Sequence, residues 1–250
     1  LFLIFLFIGL RHEVGPDWHS YLRNMEYARG RSLIQSVSLI NDPGYGLLNW
    51  VGVNFGGGIY FVNSFSAALL CFGVLTYCNF QSRPRLALLL AFPYLIIFVG
   101  MGYTRQSVAM GLIMLALVFL QRERFIHFIL FVLLGALFHK TALICLLFGI
   151  LYKFKGFLML ILSILISAFI IIFLSQTGYI SYLILIYFSN TPFNSSGAAL
   201  RIGMTTVPAV IFLIWQKRFL LEPKQKRFWV FISILTFGFL GLIFMFPNST

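Results

Sequence analysis

Charge is scarce in this chain. Charged residues make up only 10% of its 250 residues, hydrophobic residues make up 60%, and the mean hydropathy is +0.97. Long runs of Leu, Ile and Phe recur along the whole length, and a water-soluble domain of this size has no means of shielding them from solvent. The composition therefore excludes a soluble domain and predicts an all-α, polytopic transmembrane helical bundle, forming a single membrane domain over residues 1–250.

Acidic residues are fewest, with six Asp and Glu against 18 Lys and Arg, which gives a net charge of +12. The basic residues are scattered through short gaps between apolar runs and form no contiguous stripe, so we predict no nucleic-acid partner. The sequence has no Asp-x-Asp pair and no His/Cys cluster at ligand spacing. We therefore expect no metal and no cofactor. The three cysteines, Cys71, Cys78 and Cys145, are predicted to be inert core thiols.

The apolar runs divide into about nine membrane segments with short gaps between them. We predict these segments at residues 1–10, 58–79, 86–99, 105–121, 126–138, 140–152, 157–174, 202–215 and 228–246. The first would cover only about 15 Å of a hydrocarbon core roughly 30 Å thick, so we expect the sequence to begin partway through its first span. It lacks the charged n-region and the cleavage site of a secretory signal peptide.

The stretch from Phe125 to Tyr152 has two interpretations, one long helix or two short segments that turn at His139-Lys140. Basic residues in alternate loops discriminate between them. Two segments place the following on one side: Arg83, Arg85, Arg122, Arg124, Lys153, Lys155, Lys217, Arg218, Lys224, Lys226 and Arg227. Because cytoplasmic loops carry the excess of Lys and Arg, we predict two segments, with that side in the cytoplasm.

This topology predicts two outer loops, at residues 11–57 and 175–201, and most carboxylates lie in the first. There Gly15-Pro16 breaks the chain, and Asp17 precedes a run of apolar residues at helical spacing, which predicts an interfacial amphipathic helix. Asp17 either caps this helix or takes part in chemistry. A second amphipathic stretch, ending at Phe55, follows the turn signal Asn41-Asp42-Pro43-Gly44-Tyr45-Gly46. The aromatic residues of the second loop either form a glycan-binding lid or anchor it in the interface.

Ionisable residues inside or at the ends of membrane segments are costly, which makes them candidates for function. Arg105, His139, Lys140 and Arg201 occupy such positions on the predicted outer side. Each also has a structural alternative. Arg105 and Lys140 would reach toward lipid phosphate, His139 would be a satisfied core histidine, and Arg201 would be an interfacial anchor.

Four short patterns occur in order, each at the outer face of a span. They are Arg11 with Gly15-Pro16-Asp17 and Tyr21; Asp42-Pro43-Gly44-Tyr45; Tyr103-Thr104-Arg105-Gln106 with Ala109; and Phe138-His139-Lys140-Thr141-Ala142. In this order they resemble the EpsG-like membrane proteins, a family similar to the Wzy-type polymerases of bacterial exopolysaccharide and O-antigen pathways. The resemblance extends over about residues 10 to 145.

The resemblance implies a glycosyltransferase in the bacterial inner membrane that acts at the outer leaflet on undecaprenyl-pyrophosphate-linked sugars. Its partners would be a polyprenyl-pyrophosphate-linked oligosaccharide, membrane lipids and other polysaccharide-assembly proteins. A guanidinium group suits the charge that develops on a pyrophosphate leaving group, so Arg105 is the first candidate for that role. Asp17 and His139 are candidates for the base, and the GT-C class of lipid-dependent glycosyltransferases favours Asp17 by analogy. The predicted substrate-binding residues are Arg11, Lys140, Gln106, Tyr21, Asp42 and Arg201.

Two other functions stay open. A transporter or flippase would be expected to show inverted repeats and helices broken near the bilayer midplane, whereas the polar residues here gather at one face and no repeat is visible. A noncatalytic membrane subunit that scaffolds an exopolysaccharide assembly complex is compatible with the same residues, because every carboxylate could be structural.

Overall fold

The computed structural model describes residues 2–40, 42–178, 181 and 198–245, without the side chains of 198–202 and 238–245. This part of the chain is helical and contains no strand, which confirms the all-α class. The first half contains α1 (Phe2–Gly9), α2 (Trp18–Ala28), α3 (Leu33–Leu39), α4 (Pro43–Asn54), α5 (Gly58–Asn79), α6 (Pro84–Ala91) continued by a π-helix (Phe92–Gly100), and α7 (Thr104–Gln121). The second half contains α8 (Phe125–Ala136), a 3-10 helix (Lys140–Cys145), α9 (Leu146–Lys153), α10 (Gly156–Gln176), α11 (Ala198–Trp215), a 3-10 helix (Gln216–Arg218) and α12 (Pro223–Met245).

Three of these helices, α5, α7 and α10, are long and apolar enough to cross a membrane. Pro84–Gly100 and Phe125–Ala136 are shorter apolar helices. The chain is therefore a helical, multi-pass membrane protein. Each segment predicted as a span contains helix.

The described chain divides into two units, Leu1–Leu146 and Leu147–Thr250. In the first, α5 packs against α1 and α7, and α7 packs against α8. Gly73 and Gly111 face each other where α5 meets α7, with no room for a Cβ between the two backbones. Small residues permit such close approach of membrane helices.

Helices α2, α3 and α4 form a cap over the end of the bundle where α5 begins. A shared core of Trp18, Tyr21, Tyr45, Leu48 and Val62 joins this cap to the first turns of α5. Because the buried residues of α2 recur every three or four positions, this helix buries one stripe and exposes the rest. The cap thus covers the bundle end where α7 begins and α8 ends.

The chain is broken near His139, as the two-segment interpretation predicted. Helix α8 ends at Ala136, and His139 has an extended backbone (φ −154°, ψ 107°) before the 3-10 helix starts. One continuous helix over this stretch is therefore excluded.

Two local features of the cap differ from expectation. Asp17 is the N-cap residue of α2, as predicted, but its side chain makes no capping hydrogen bond. Helix α3 was not predicted, although Ser32 and Gln35 form a reciprocal capping box at its start.

In the second unit, α11 packs against α12. Arg227 donates hydrogen bonds to the carbonyl oxygens of Leu151 and Tyr152 at 3.3 and 3.2 Å. The rings of Phe148 and Phe228 meet edge to face at 5.7 Å. These contacts join α12 to α9 within this unit.

Candidate active site

The loop before α2 is fixed against the loop before α7. Gly15 has a φ of +98°, in the left-handed region that favours glycine, and a Cβ there would lie 2.7 Å from the Gly102 carbonyl oxygen. The two backbones therefore touch. This contact brings Asp17, at the start of the cap, to the same end of the bundle as Arg105.

A second close approach joins the start of α4 to the end of α8. The Gly44 N–H donates to the Leu137 carbonyl oxygen at 2.9 Å, and a Cβ on Gly44 would meet that oxygen and the Phe138 ring at 3.1 Å. Only glycine fits this contact without displacing its neighbours. It holds Asp42 beside the segment that carries His139, so the four motif segments converge at the cap end of the bundle.

Arg105 is held by a carboxylate and two aromatic rings. Its Nη1 donates to Asp42 Oδ2 at 2.9 Å, and its guanidinium carbon lies 5.9 Å from the ring centroids of both Tyr21 and Tyr45. The Arg105 side chain is 29% exposed, whereas that of Asp42 is 6% exposed. The Arg105 guanidinium is thus oriented by a buried carboxylate and remains accessible to solvent.

Asp17 belongs to the same cluster through Tyr21. The Tyr21 hydroxyl donates to Asp17 Oδ2 at 3.3 Å. Burial, together with the nearby Asp17 carboxylate, raises the pKa of Tyr21 to about 12, against the opposing effect of Arg105. Tyr21 therefore remains protonated at neutral pH and can keep donating this bond. A carboxylate oriented in this way suits a general base.

His139 lies close enough to the cluster for the charges of Arg105, Asp42 and Asp17 to affect the pKa of its imidazole. Burial lowers the pKa of its imidazole below the ordinary value, Arg105 acts in the same direction, and Asp42 and Asp17 oppose both. The ring is therefore neutral at physiological pH, in the form that accepts a proton or a hydrogen bond. Lys140 and Gln106 follow two of the cluster residues in sequence and are half-buried.

Arg11 lies in a buried network instead of the open cluster. It is 4% exposed, and its two Nη groups donate to the Gly100 carbonyl oxygen, to Thr104 Oγ1 and to Asn63 Oδ1, the last at 3.1 Å. Thr104 also donates to Asn63 Oδ1 at 3.2 Å. This network joins the end of α1 to α5 and α7, and it positions the residue directly before Arg105. The predicted substrate-binding role of Arg11 stays a prediction.

Two members of this network were not among the predicted site residues, although Thr104 is part of the third sequence pattern. Asn63 is completely buried within apolar α5, and Thr104 is completely buried at the start of α7. A polar residue inside a membrane helix is itself a signal of function or structure, and Asn63 could have been found by it. Thr104 carries no such signal, because hydroxyl side chains are common at helix starts.

The last predicted site residue, Arg201, lies on α11, but its side chain is outside the described residues. Of the second outer loop, 179, 180 and 182–197 are outside them as well. Within the described ranges, no group of three His, Cys, Asp or Glu side chains lies close enough to hold a metal ion.

Comparison with known proteins gives one match. A family model described as the EpsG family matches residues 1–250, the whole chain, and so extends beyond the four motifs. No curated protein and no solved structure matches the chain.

Proposed function

Because the chain belongs to the EpsG family, a membrane family similar to Wzy-type polymerases, we propose that it is a polysaccharide polymerase. In this proposal it transfers sugar units from undecaprenyl pyrophosphate at the outer leaflet of the bacterial inner membrane. The observation that carries the proposal is the single cluster of Asp17, Asp42, Arg105 and His139, assembled at one bundle end from four segments far apart in sequence.

The cluster suits displacement of a pyrophosphate leaving group. An acceptor hydroxyl oxygen attacks the anomeric carbon, the bond from that carbon to the phosphate oxygen breaks, and its electron pair leaves with the pyrophosphate. Arg105 stabilises the charge that develops there, because a guanidinium supplies paired N–H donors in a plane. Lys140, next to His139 in sequence and half-buried, is a second candidate for contact with the pyrophosphate.

The hydroxyl proton needs an acceptor, and Asp17 is the residue to which we assign that role. Its carboxylate is half-buried, accepts a hydrogen bond from Tyr21, and lies on the first predicted outer loop, the position of the essential acid in GT-C enzymes. His139 orients the substrate as a neutral ring. Asp42 positions Arg105 by its ion pair and does not itself need to contact the sugar.

The location of the cluster supports an enzyme over a transporter. Its side chains lie at the capped end of the bundle, whereas transporters place their binding sites near the midplane of the membrane. The opposite ends of the same helices carry Arg83, Arg85, Arg122 and Arg124. By the positive-inside rule we expect that end to be cytoplasmic, which supports an outer position for the cluster.

A reconstituted reaction tests the activity. Purified full-length protein in lipid vesicles receives an undecaprenyl-pyrophosphate-linked oligosaccharide, and we expect longer lipid-linked glycans with one undecaprenyl pyrophosphate released for each new bond. Movement of the substrate across the bilayer without elongation would identify a flippase. Binding with neither elongation nor movement would identify a scaffold.

Thiol labelling tests the leaflet. Cysteines introduced by Ser20→Cys in the cap and Gln225→Cys near the last basic cluster should differ in intact cells, with an impermeant reagent modifying the first and not the second. The opposite pattern would place the cluster in the cytoplasm and contradict the outer-leaflet proposal.

A further inference from the structure

A second feature of the cap lies on the other side of α2. A groove of about 760 Å³ runs between α2 and the start of α5, and its lining includes His19, Arg23, Glu26, Arg29 and Tyr60. This volume is within the range of about 300–1,000 Å³ that is usual for ligand sites. The Asp17, Arg105 and His139 cluster is not part of its lining.

Helix α2 forms a wall shared by the two sites. Successive residues of an α-helix are rotated by about 100°, so Trp18 and Tyr21 lie on one face, and His19, Arg23 and Glu26 lie on an adjoining face. The first face is buried, with Tyr21 in contact with the Arg105 cluster, and the second lines the groove. A ligand in the groove would therefore lie one helix diameter from the proposed reaction centre, about 10 Å.

The charges of the groove favour an anion. Glu26 pairs with Arg29 at 3.3 Å, so these two side chains neutralise each other. Arg23 makes no hydrogen bond or ion pair within the described part of the chain. It lines the groove beside His19, with its positive charge available to a ligand. An exposed guanidinium is a strong donor to a carboxylate or a phosphate.

The groove also presents an aromatic face. Tyr60 is 40% exposed, its ring stacks on that of His12 with 6.1 Å between centroids, and its hydroxyl is hydrogen-bonded to His12 Nδ1 at 2.7 Å. This pairing fixes the orientation of a flat, partly apolar surface whose edge is polar. Such a surface suits the face of a sugar ring.

We propose that this groove binds the sugar chain of one lipid-linked substrate, with a preference for acidic sugars such as uronates. This assignment rests on the proposed polymerase function, since a polymerase must hold sugars beyond the reacting unit. Arg23 contacts the carboxylate, Tyr60 packs against a ring, and the Arg105 cluster receives the pyrophosphate of the reacting partner on the other side of α2.

Direct binding of a soluble glycan tests the groove without any catalytic step. Full-length protein in nanodiscs of zwitterionic lipid is titrated with hexagalacturonate and, separately, with neutral maltohexaose, and binding is followed by calorimetry. We expect hexagalacturonate to bind more tightly. Arg23→Gln should weaken its binding about tenfold, because one charged hydrogen bond is lost. Arg31→Gln is the matched control, since Arg31 is an exposed arginine beyond α2 that does not line the groove.

Unchanged hexagalacturonate binding by Arg23→Gln, or equal binding of the neutral glycan, would overturn the proposal. In a second arm, nanodiscs that contain anionic lipid are tested without glycan. An effect of Arg23→Gln on lipid retention alone would assign the groove to lipid headgroups and would also overturn it.

The two proposals fail in different ways. Hexagalacturonate carries no pyrophosphate, so Arg105→Lys should bind it normally. A wild-type protein that binds it through Arg23 but elongates no lipid-linked glycan would refute the polymerase function and support the groove. A protein that elongates glycans with no dependence of glycan binding on Arg23 would refute the groove alone.

Discussion

Arg11 and Arg105 are two arginines at the same end of the bundle, and their surroundings differ sharply. Arg11 is 4% exposed and donates to three acceptors, all within the protein. The Arg105 side chain is 29% exposed, and its Nη1 is paired with Asp42 Oδ2. The same guanidinium group is therefore enclosed by protein acceptors at position 11 and accessible to solvent at position 105.

The difference follows from what surrounds each cation. A buried guanidinium has lost its hydrogen bonds to water and needs fixed protein acceptors to replace them. Removing the guanidinium leaves those buried acceptors unpaired. An accessible guanidinium with one fixed counter-ion is already oriented, so binding an anion requires little reorganisation of the side chain. Substitutions in the Arg11 network should therefore reduce stability, and substitutions in the Arg105 cluster should reduce activity.

The largest effect is expected for Asp17→Asn. The acceptor hydroxyl loses its proton acceptor, and we expect polymer formation to fall by about a thousandfold or more while lipid-linked substrate still binds. His139→Gln should be impaired by only about tenfold, because an amide partly replaces a neutral imidazole as a hydrogen-bonding group. Elongation rates at equal amounts of folded protein measure both. If His139→Gln is inactive and Asp17→Asn is active, His139 is the base.

The next largest effect is a loss of stability in Arg11→Met. Met fills part of the volume but leaves Thr104 Oγ1 and the Gly100 carbonyl oxygen without the Arg11 donor, and Asn63 Oδ1 loses one of its two donors. The free energy of unfolding should therefore fall by about 3 kcal/mol. Denaturant unfolding in detergent measures it, with exposed Arg31→Met as the control. A stable Arg11→Met protein that has lost only its activity would move Arg11 into the substrate site and end the distinction between the two arginines.

A smaller effect is expected for Asp42→Asn, which keeps the size of the side chain but removes the charge that orients Arg105. We expect the rate of elongation to fall about tenfold and Asp42→Glu to retain most activity, because it restores a carboxylate. A purely structural role predicts the reverse order, since Asn is the closer match in shape. Rates of the two variants, compared at equal folded fractions, discriminate between these roles.

The smallest effect is the pH dependence of stability that comes from His139. Because its pKa is lowered in the folded protein, the unfolded chain binds the proton more tightly. The contribution of neutral His139 to the free energy of unfolding is therefore fully present above its ordinary pKa of about 6.5, and it is lost as the pH falls below that value. The free energy of unfolding, measured from pH 7.5 to 5.5, should decline with falling pH, and the decline should be shallower in His139→Gln than in the wild type. Equal slopes would mean that His139 is not desolvated.

Much of this arrangement follows from local sequence signals. The apolar runs predicted the helices, and the basic residues of alternate loops predicted the break at His139. The spacing of Trp18, Tyr21 and Met25 predicted α2. These features depend on residues that are close in sequence, where periodicity and turn chemistry are informative.

The pairing inside the site could not be predicted in the same way. Asp42 and Arg105 are 63 residues apart, and their ion pair exists because the Gly15–Gly102 and Gly44–Leu137 contacts fold two loops onto the bundle end. Arg11 follows a membrane helix and Arg105 begins one, so the sequence analysis predicted that both would contact substrate, Arg105 as a catalytic residue and Arg11 as a binding residue. The burial of Arg11 depends on its contacts with Asn63 on α5 and Thr104 on α7, which are 52 and 93 residues away in sequence.

The rate of elongation by Arg105→Lys, measured per folded protein with a lipid-linked oligosaccharide, is the most direct test of this account. Lysine keeps the charge and can still pair with Asp42, but a single ammonium lacks the planar pair of donors that fits a pyrophosphate. We predict a rate about a hundredfold below wild type, corresponding to about 3 kcal/mol in the barrier, with unfolding unchanged. A rate close to that of the wild type would contradict the assignment and reduce Arg105 to an interfacial anchor.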